Sequence, residues 1–359
     1  MLPSRNTTSW GIRLYCLLAL ARLRTGFPGA LAFLIGWQAT HPEERFHHSL
    51  VHHPVWFATG SLLSFLSGTV VNLGNTVTDI REDKVNLPHR VQIARFYGLR
   101  RLWAANTVMS VLMILLGALT WNLAFFLITI LAVWLMNQYS FPPLRLKRHP
   151  FLSLVNFSCA VSFPFGFALL LQTGGRVWPN SEWTSLCLLC TIFFGLFGTA
   201  KNLQDYDGDK AAGIRTTATM FSTKKAAVLF VVICITSTPL FFFIPFFLGL
   251  FDPQVGLIPL WSLFICPILV LMFKHRDDPN TLKTLQSIFF MYPIFFLASL
   301  CLLLFPSVTM AVAVTIHLCL LGLVERLGLD ARNPNAYRTL QRLTKQEGQQ
   351  SGYSQHTLY

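Results

Sequence analysis

Long apolar runs alternate with short polar segments along almost the whole chain, and charged residues rarely interrupt a run. A helix of about 20 apolar residues is long enough to cross a lipid bilayer. The pattern therefore predicts an all-α, polytopic bundle of transmembrane helices with nine or ten spans. The predicted spans are Leu14–Trp37, Trp56–Leu73, Leu102–Leu119, Leu123–Trp134, Leu152–Leu171, Leu186–Ala200, Ala226–Leu248, Leu257–Phe273 and Ile288–Phe305, with Val308–Val324 as the tenth.

The order of these runs predicts one membrane domain over residues 1–330, because no long linker divides them. Residues 331–359 are polar and contain Gln, Ser and Gly, which indicates a disordered cytosolic tail. A weak duplication is also visible, in which an apolar span, an Asn-led acidic cluster and a basic stretch occur in that order twice. Such repeats predict two equivalent half-sites that face one cavity.

Composition and charge placement define the environment of the chain. It is 53% hydrophobic and 12% charged, which excludes an ordinary soluble domain. The net charge is +13, and most basic residues lie in the loops that follow the even-numbered spans. We therefore expect a lipid bilayer, and not nucleic acid, as the partner of the chain. The positive-inside rule places these loops in the cytosol, and we expect the endoplasmic reticulum as the membrane. Neither an obligate protein partner nor a disulfide framework is indicated.

Two acidic clusters at the ends of apolar runs carry the clearest chemical signal. Within each cluster two aspartates are four residues apart, so a helix would place both on one face. Like charges this close repel each other unless a cation lies between them or one of them takes a proton. Oxygen ligands at this spacing suit Mg²⁺, which commonly shares its coordination with substrate phosphates. The predicted metal ligands are Asn75, Asp79, Asp83, Asn202, Asp205 and Asp209, with the four aspartates also as catalytic residues. Glu82 and Asp207 lie outside this spacing and are expected to face solvent or to support the ligands.

The two clusters and one loop resemble the motifs of the UbiA superfamily of intramembrane prenyltransferases. Asn75, Asp79 and Asp83 match its first motif, NDxxDxxxD, at the Asn and at two Asp positions. Asp205 and Asp209 match the second motif, DxxDxxxD, and are followed by Gly-Ile-Arg-Thr, as in the family. Between them, YSFPPLRLKRHP over residues 139–150 resembles the YSxPPxRLKR loop of the homogentisate-prenyltransferase-like branch.

The resemblance implies that the four aspartates hold Mg²⁺, which in turn binds the diphosphate of a prenyl substrate. Basic residues near the motifs are candidates to neutralise the leaving diphosphate, since both Arg and Lys suit phosphate oxygens. These candidates are Lys84, Arg145, Lys147, Lys201, Lys210 and Arg215. For each of them the alternative is an ordinary anchor at the cytosolic end of a helix.

Departures from the motifs favour one branch of the chemistry. Thr76 and Asn202 stand where the two motifs have an additional acid, so a base near a second substrate is missing. This favours the membrane-bound terpene cyclases of the superfamily, which cyclise a prenyl diphosphate such as farnesyl diphosphate to a sesquiterpene. Aromatic side chains upstream of the second motif would stabilise carbocations; they are Phe163, Phe165, Phe193, Phe194 and Phe197. The alternative is an intermolecular prenyltransferase that uses an aromatic or lipid acceptor. A transporter with acids along an ion path is a further alternative, against which the position of the clusters in loops argues.

Overall fold

The computed structural model describes residues 9–41, 46–176, 179–203, 205–249 and 261–356. These residues form α-helices joined by short connections, and no strand lies in the described ranges. The helices are α1 (Trp10–Ala21), α2 (Phe27–Thr40), α3 (Phe46–His52), α4 (Pro54–Thr78), α5 (Ile80–Asn86), α6 (Pro88–Tyr97), α7 (Leu99–Ala118), α8 (Leu123–Ser140), α9 (Pro150–Thr173), α10 (Ser181–Leu203), α11 (Tyr206–Ala211), α12 (Lys224–Phe247), α13 (Trp261–Lys274), α14 (Pro279–Phe289), α15 (Tyr292–Leu304), α16 (Val308–Arg326) and α17 (Pro334–His356).

The predicted all-helical transmembrane bundle is confirmed. In the described residues, seven helical stretches are long and apolar enough to cross a bilayer, and a bent pair formed by α1 and α2 makes a possible eighth. The predicted count of nine or ten is therefore not established by helix length and composition. Helices α12 and α13 occupy the predicted seventh and eighth spans, and residues 257–260 of the eighth lie outside the described ranges.

The first predicted span, Leu14–Trp37, is not one continuous helix. It breaks at Arg22, whose backbone adopts the left-handed region with φ 55°, and the two halves are bent by 45°. A short 3-10 turn over Leu23–Gly26 connects them, and Pro28 follows in the first turn of α2. The break places Arg22 and Arg24 between the two helices, where both side chains are buried.

Helix α2 lies at the centre of the bundle, and every residue from Phe27 to Ala39 is buried. Its close packing depends on small residues: a Cβ atom on Gly29 would collide with the carbonyl oxygen of Ser64 in α4. In the same way, a Cβ on Gly36 would lie 2.9 Å from Cα of Phe165 in α9. Small residues allow close approach of membrane helices, and here they bring α4 and α9 against one central helix.

The polar tail differs from the sequence-based expectation. Residues 331–359 are predicted to be disordered, whereas the structure describes helix α17 over Pro334–His356. Ala336 and Leu340 of this helix are fully buried against α1 and α6. Apolar residues four positions apart form one face of a helix, so this segment is an amphipathic helix. Its low mean hydropathy does not show this pattern.

Candidate functional site

Each acidic cluster is built on a break between a long helix and a short one. Asp79 separates α4 from α5 with φ −101° and ψ 16°, and Asp205 separates α10 from α11 with φ −99° and ψ 3°. The amide of Asp83 donates to the carbonyl of Asp79 at 2.7 Å, and the amide of Asp209 donates to that of Asp205 at 2.8 Å. The two halves of the chain thus use the same local backbone to present their acids.

This shared backbone corrects the register between the clusters. With Asp79 and Asp205 equivalent, the residue four positions earlier is Asn75 in one half and Lys201 in the other. Asn202 is therefore equivalent to Thr76 and not to Asn75. Its amide nitrogen donates to Thr217 Oγ1 at 2.7 Å.

A single asparagine joins the two clusters directly. Asn86, the last residue of α5, donates from Nδ2 to the carbonyl of Asp205 at 3.2 Å and accepts at Oδ1 from the amide of Gly208 at 2.9 Å. A Cβ on Gly208 would collide with this amide group. The contact requires glycine at position 208 and holds α11 against α5.

Side chains from both clusters line one cleft of about 410 Å³, counted with its opening, which we call the polar pocket. Its lining residues are Asn75, Asp79, Glu82, Tyr139, Lys147, Lys201, Asn202, Asp205, Asp209, Ile214, Thr216 and Arg332. The structure thus brings together five of the six residues that the sequence proposes as metal ligands. The sixth, Asp83, does not line the pocket.

Asp83 is buried behind the pocket in contact with Arg90. Arg90 Nη1 donates to Asp83 Oδ2 at 2.6 Å, and Arg90 Nη2 donates to Thr76 Oγ1 at 2.6 Å. Burial raises the pKa of Asp83, which Arg90 opposes. The structure therefore gives Asp83 a buried ion pair, in place of the predicted position facing a metal.

Glu82 takes the place in the pocket that spacing assigns to its neighbour. The sequence argument sets Glu82 aside, but its side chain is 10% exposed and lines the polar pocket, with Arg145 at 3.8 Å from Oε1. In α5, which begins at Ile80, Asp83 is held by Arg90 while its neighbour Glu82 lines the pocket. Spacing alone could not show that Arg90 would hold Asp83 away from the pocket.

The donor atoms of the pocket suit a hard cation. Asp205 Oδ1 and Glu82 Oε2 are buried and have no hydrogen-bond partner among the described residues. Asn75 Oδ1 accepts a short hydrogen bond from Ser140, which orients its amide. Carboxylate and amide oxygens are the ligands that Mg²⁺ prefers. In the described residues, no group of three or more His, Cys, Asp or Glu side chains is arranged to hold a metal ion by itself. Mg²⁺ in proteins usually keeps several water or phosphate ligands besides one or two carboxylates.

The charges in the pocket perturb one another. Burial, reinforced by Asp205, raises the pKa of Asp209 to about 8. Burial also lowers the pKa of Lys147 to about 8, and Lys147 forms an ion pair with Asp79. Shifts of this size in a cleft are typical of functional sites.

Two of the six predicted diphosphate-binding cations line the polar pocket. Lys147 is held at the pocket by Asp79 and by Thr78, whose hydroxyl lies 3.3 Å from Nζ. Lys201 donates to the Tyr139 hydroxyl at 2.7 Å, with its Nζ 4.6 Å from the centre of that ring. Both lysines are therefore placed to contact an anion in the pocket.

The other four predicted cations lie elsewhere. Lys84 and Arg215 are exposed and do not line the pocket. Lys210 points to the outer side of α11, where Nζ donates to the carbonyl of Ser222 at 2.7 Å. Arg145 does not line the pocket, and its Nη2 lies 3.8 Å from Glu82 Oε1. The sequence places all four beside a motif but gives no information on the side of the helix or loop that each occupies.

Arg332 is a pocket residue that sequence reasoning missed. It follows the last predicted span, and its Nη2 donates to Asp205 Oδ2 at 3.1 Å. Burial alone would lower the pKa of Arg332, but Asp205 and Asp83 raise it. Arg22 and Arg24 gave a signal that could have led to this segment, because buried arginines in an apolar run require acidic partners elsewhere in the chain.

A second cavity adjoins the polar pocket and shares Asn75, Tyr139 and Lys201 with it. This cavity, which we call the apolar chamber, encloses about 980 Å³ counted with its opening. Its aromatic lining consists of Tyr139, Phe157, Phe163, Phe194, Phe197 and Phe290. Phe165 and Phe193, which the sequence argument also placed near the substrate, are buried against Trp183 and Phe296 instead.

One side of the chamber is polar. Its residues there include Arg22, Arg24, Thr25, Ser67 and Asn72. Arg22 Nη1 donates to Asn72 Oδ1 at 2.9 Å, and Asn72 Nδ2 donates to Thr25 Oγ1 at 2.7 Å. The chamber thus combines a long apolar volume with a local group of hydrogen-bonding side chains.

The chain is similar to known prenyltransferases in sequence. It is 28% identical over 174 residues to the probable homogentisate phytyltransferase 2, chloroplastic, of Oryza sativa subsp. japonica, a match that covers 45% of this chain and 44% of that protein. It is 27% identical over 209 residues to digeranylgeranylglyceryl phosphate synthase of Sulfurisphaera tokodaii, covering 56% and 69% of the two chains. The matched part of the chain therefore spans less than half of the rice protein.

The fold is similar to that of a solved UbiA homologue from Archaeoglobus fulgidus, which was determined with DMAPP and Mg²⁺ bound. The two structures superpose with a TM-score of 0.54 at 17% identity, over 79% of this chain and 99% of the other. The sequence profile of the UbiA prenyltransferase family matches residues 43–300, which is more than half of the chain and includes both acidic clusters. The resemblance that the motifs indicate is thereby confirmed, and this multi-pass membrane chain belongs to the UbiA prenyltransferase family.

Proposed function

We propose that the protein is an intermolecular prenyltransferase that ionises a prenyl diphosphate with Mg²⁺ and transfers the prenyl group to an aromatic or lipid acceptor. The observation that carries the proposal is the junction between the polar pocket and the apolar chamber at Asn75, Tyr139 and Lys201. A prenyl diphosphate has a charged head and a long apolar tail, and the two cavities match these parts in that order.

The residues of the polar pocket suit the head group. Lys147 and Lys201 would bind diphosphate oxygens. The carboxylates that would hold the metal are Asp79, Glu82, Asp205 and Asp209. Bound Mg²⁺ would neutralise the negative charge that grows on the departing diphosphate. The lysines add to this stabilisation because they lie where that charge develops.

The chamber suits the allylic group that remains. The rings of Tyr139 and Phe157 lie beside the junction, and Phe157 stacks on Phe194 with ring centres 4.7 Å apart. Aromatic faces attract a cation by up to about 2 kcal/mol when it is desolvated. These residues would also exclude water, which would otherwise capture the cation.

Thr76 and Asn202 stand where the motifs have acids, which in the sequence argument favours a terpene cyclase. In the structure both side chains have hydrogen-bonding roles. Thr76 accepts a hydrogen bond from Arg90, and Asn202 donates one to Thr217. The expectation of a cyclase also gains no support from the rice relative, which is named as a phytyltransferase. The polar side of the chamber supports transfer, because an acceptor with hydroxyl or acidic groups would be bound by Arg24, Asn72 and their neighbours.

The test is incubation of membranes containing the protein with Mg²⁺ and farnesyl or geranylgeranyl diphosphate, with and without homogentisate. We expect a prenylated aromatic product only when the acceptor is present, loss of product with EDTA, and recovery with Mg²⁺. A volatile hydrocarbon formed without acceptor would contradict the proposal and establish the cyclase. Membranes with the Asp205→Ala variant are the control for endogenous enzymes.

The sidedness and the membrane belong to the same proposal. The polar pocket lies at the ends of α4 and α10, beside the basic loops that the positive-inside rule places in the cytosol. We expect these loops on the cytosolic face of the endoplasmic reticulum. Labelling of a single introduced Cys at the exposed Lys84, in sealed vesicles of known orientation, tests this placement.

A further inference from the structure

The segment that follows the last predicted span returns to the site from outside the part of the chain that the family profile matches. The profile ends at residue 300, whereas α16 ends at Arg326 and the segment 328–332 follows it. Gly328 turns the chain with φ +66°, and the amide of Ala331 donates to the carbonyl of Ala19 at 2.8 Å. His89 Nε2 lies 2.9 Å from the carbonyl oxygen of Arg332. The segment is therefore fixed to α1 and α6.

Asp330 anchors this segment by its charge. Its carboxylate lies 2.9 Å from Arg22 Nε and 2.7 Å from Arg24 Nε, and all three side chains are buried. The amide of Arg332 also donates to Asp330 Oδ1 at 2.9 Å. Asp330 thus fixes the backbone from which the Arg332 side chain extends.

Arg332 brings a guanidinium group to the wall of the polar pocket. Its side chain is 11% exposed, and Nη2 lies 3.1 Å from Asp205 Oδ2, while Asp205 Oδ1 has no hydrogen-bond partner among the described residues. The contact with Asp205 therefore leaves one carboxylate oxygen available for a metal. Lys147 and Lys201 line the same pocket.

We propose that Arg332 is a substrate-binding residue, which contacts the diphosphate in the polar pocket, and that Asp330 is its positioning residue. This inference rests on the proposed function, since it assigns the anion as the diphosphate of the prenyl donor. A guanidinium presents several N–H groups in a planar fork, so Arg332 can bind Asp205 and phosphate oxygens at once. Lysines provide only point charges, so Arg332 contributes the directional contact in the pocket.

The competing explanation is that Arg332 only neutralises Asp205. The two explanations predict different affinities for pyrophosphate when the arginine is removed. If Arg332 contacts the diphosphate, its loss weakens the binding of pyrophosphate at saturating Mg²⁺. If it only neutralises Asp205, its loss changes the Mg²⁺ requirement and leaves the affinity for pyrophosphate unchanged.

The experiment measures binding of inorganic pyrophosphate to the full-length protein in detergent by calorimetry, at saturating Mg²⁺, for wild type, Arg332→Gln and Arg332→Lys. Arg338→Gln is the matched control, because Arg338 is an exposed residue of α17. We expect pyrophosphate affinity to fall about tenfold to hundredfold in Arg332→Gln and several-fold in Arg332→Lys, with no change in Arg338→Gln.

Wild-type affinity in a folded Arg332→Gln protein would overturn the proposal. Should that variant fail to fold, wild-type affinity in Arg332→Lys, which keeps the charge beside Asp205, would overturn it equally. Direct binding separates this inference from the proposed function. Absence of prenyl transfer in wild type would refute the function, whereas pyrophosphate binding would still show whether Arg332 contacts the anion.

Discussion

Arg90 joins Asp83 and Thr76 through two hydrogen bonds of 2.6 Å, and in doing so it turns Asp83 away from the polar pocket. The last acid of the first motif thereby becomes part of a buried ion pair that fastens α5 and α6 to the end of α4. Motif position and structural position differ here, and the difference can be measured.

The Asp83→Asn variant should lose stability more than metal affinity. Breaking a buried pair leaves Arg90 without its countercharge, which costs roughly 3–5 kcal/mol. We expect a clearly lower Tm in detergent, with the Mg²⁺ concentration for half-maximal activity within about twofold of wild type. A variant of normal Tm that needs far more Mg²⁺ would show that Asp83 binds the metal after all.

Asp79 and Asp205 should both be essential for turnover, because each presents its carboxylate to the polar pocket from a helix break. We expect Asp79→Ala and Asp205→Ala each to lower kcat/KM by about a hundredfold or more, since charge stabilisation at the departing group is lost. Rates of product formation in membranes measure this. Asp207→Asn is the control from the same motif, because Asp207 is exposed and pairs with Lys224; near-normal activity in either alanine variant would refute the two-cluster site.

Lys201 and Lys210 flank the same motif but should differ in effect. Lys201 lies at the junction of the two cavities, whereas Lys210 donates to Ser222 on the outside. A charge-assisted hydrogen bond contributes about 1.5–3 kcal/mol, so Lys201→Met should raise KM for the prenyl diphosphate about tenfold or more. Lys210→Met should leave KM unchanged. Equal effects of both substitutions would mean that neither acts through direct contact.

The raised pKa of Asp209, about 8, predicts a pH-dependent metal requirement. Below this pH the carboxyl of the metal-free protein holds a proton, which must leave before the group can coordinate Mg²⁺. Raising the pH from 7 to 9 should therefore lower the Mg²⁺ concentration for half-maximal activity by up to about tenfold. Initial rates measured against free Mg²⁺, corrected for Mg²⁺ bound by the substrate, test this; a requirement independent of pH would contradict it.

The sequence predicted the parts of the site that depend on local spacing. The apolar runs predicted the helical bundle, and the four-residue repeats pointed to Asp79, Asp205 and Asp209, which line the polar pocket. The predictions that failed depended on three-dimensional position: Arg90 holds Asp83 away from the pocket that Glu82 lines, and Lys210 lies on the outer side of α11. Spacing along one helix carries no information about either.

Arg332 shows a different limit. It lies 127 positions from Asp205 and follows an apolar span, where a basic residue is ordinarily an anchor. The residues that indicate its position are distant in the sequence. Arg22 and Arg24 are charges within an apolar run, and such charges require an acidic partner from another part of the chain. Pairing these arginines with Asp330 would have predicted that segment 328–332 lies near the site.

The ion pairs between Arg22, Arg24 and Asp330 also bear on synthesis. The acid that balances both arginines is made more than 300 positions after them. Until residue 330 has left the ribosome and reached α1, two buried guanidinium groups lack their acid, at a cost of several kcal/mol. A nascent chain that stops before this segment would hold all the candidate membrane spans of the described residues and still lack the acid that balances Arg22 and Arg24.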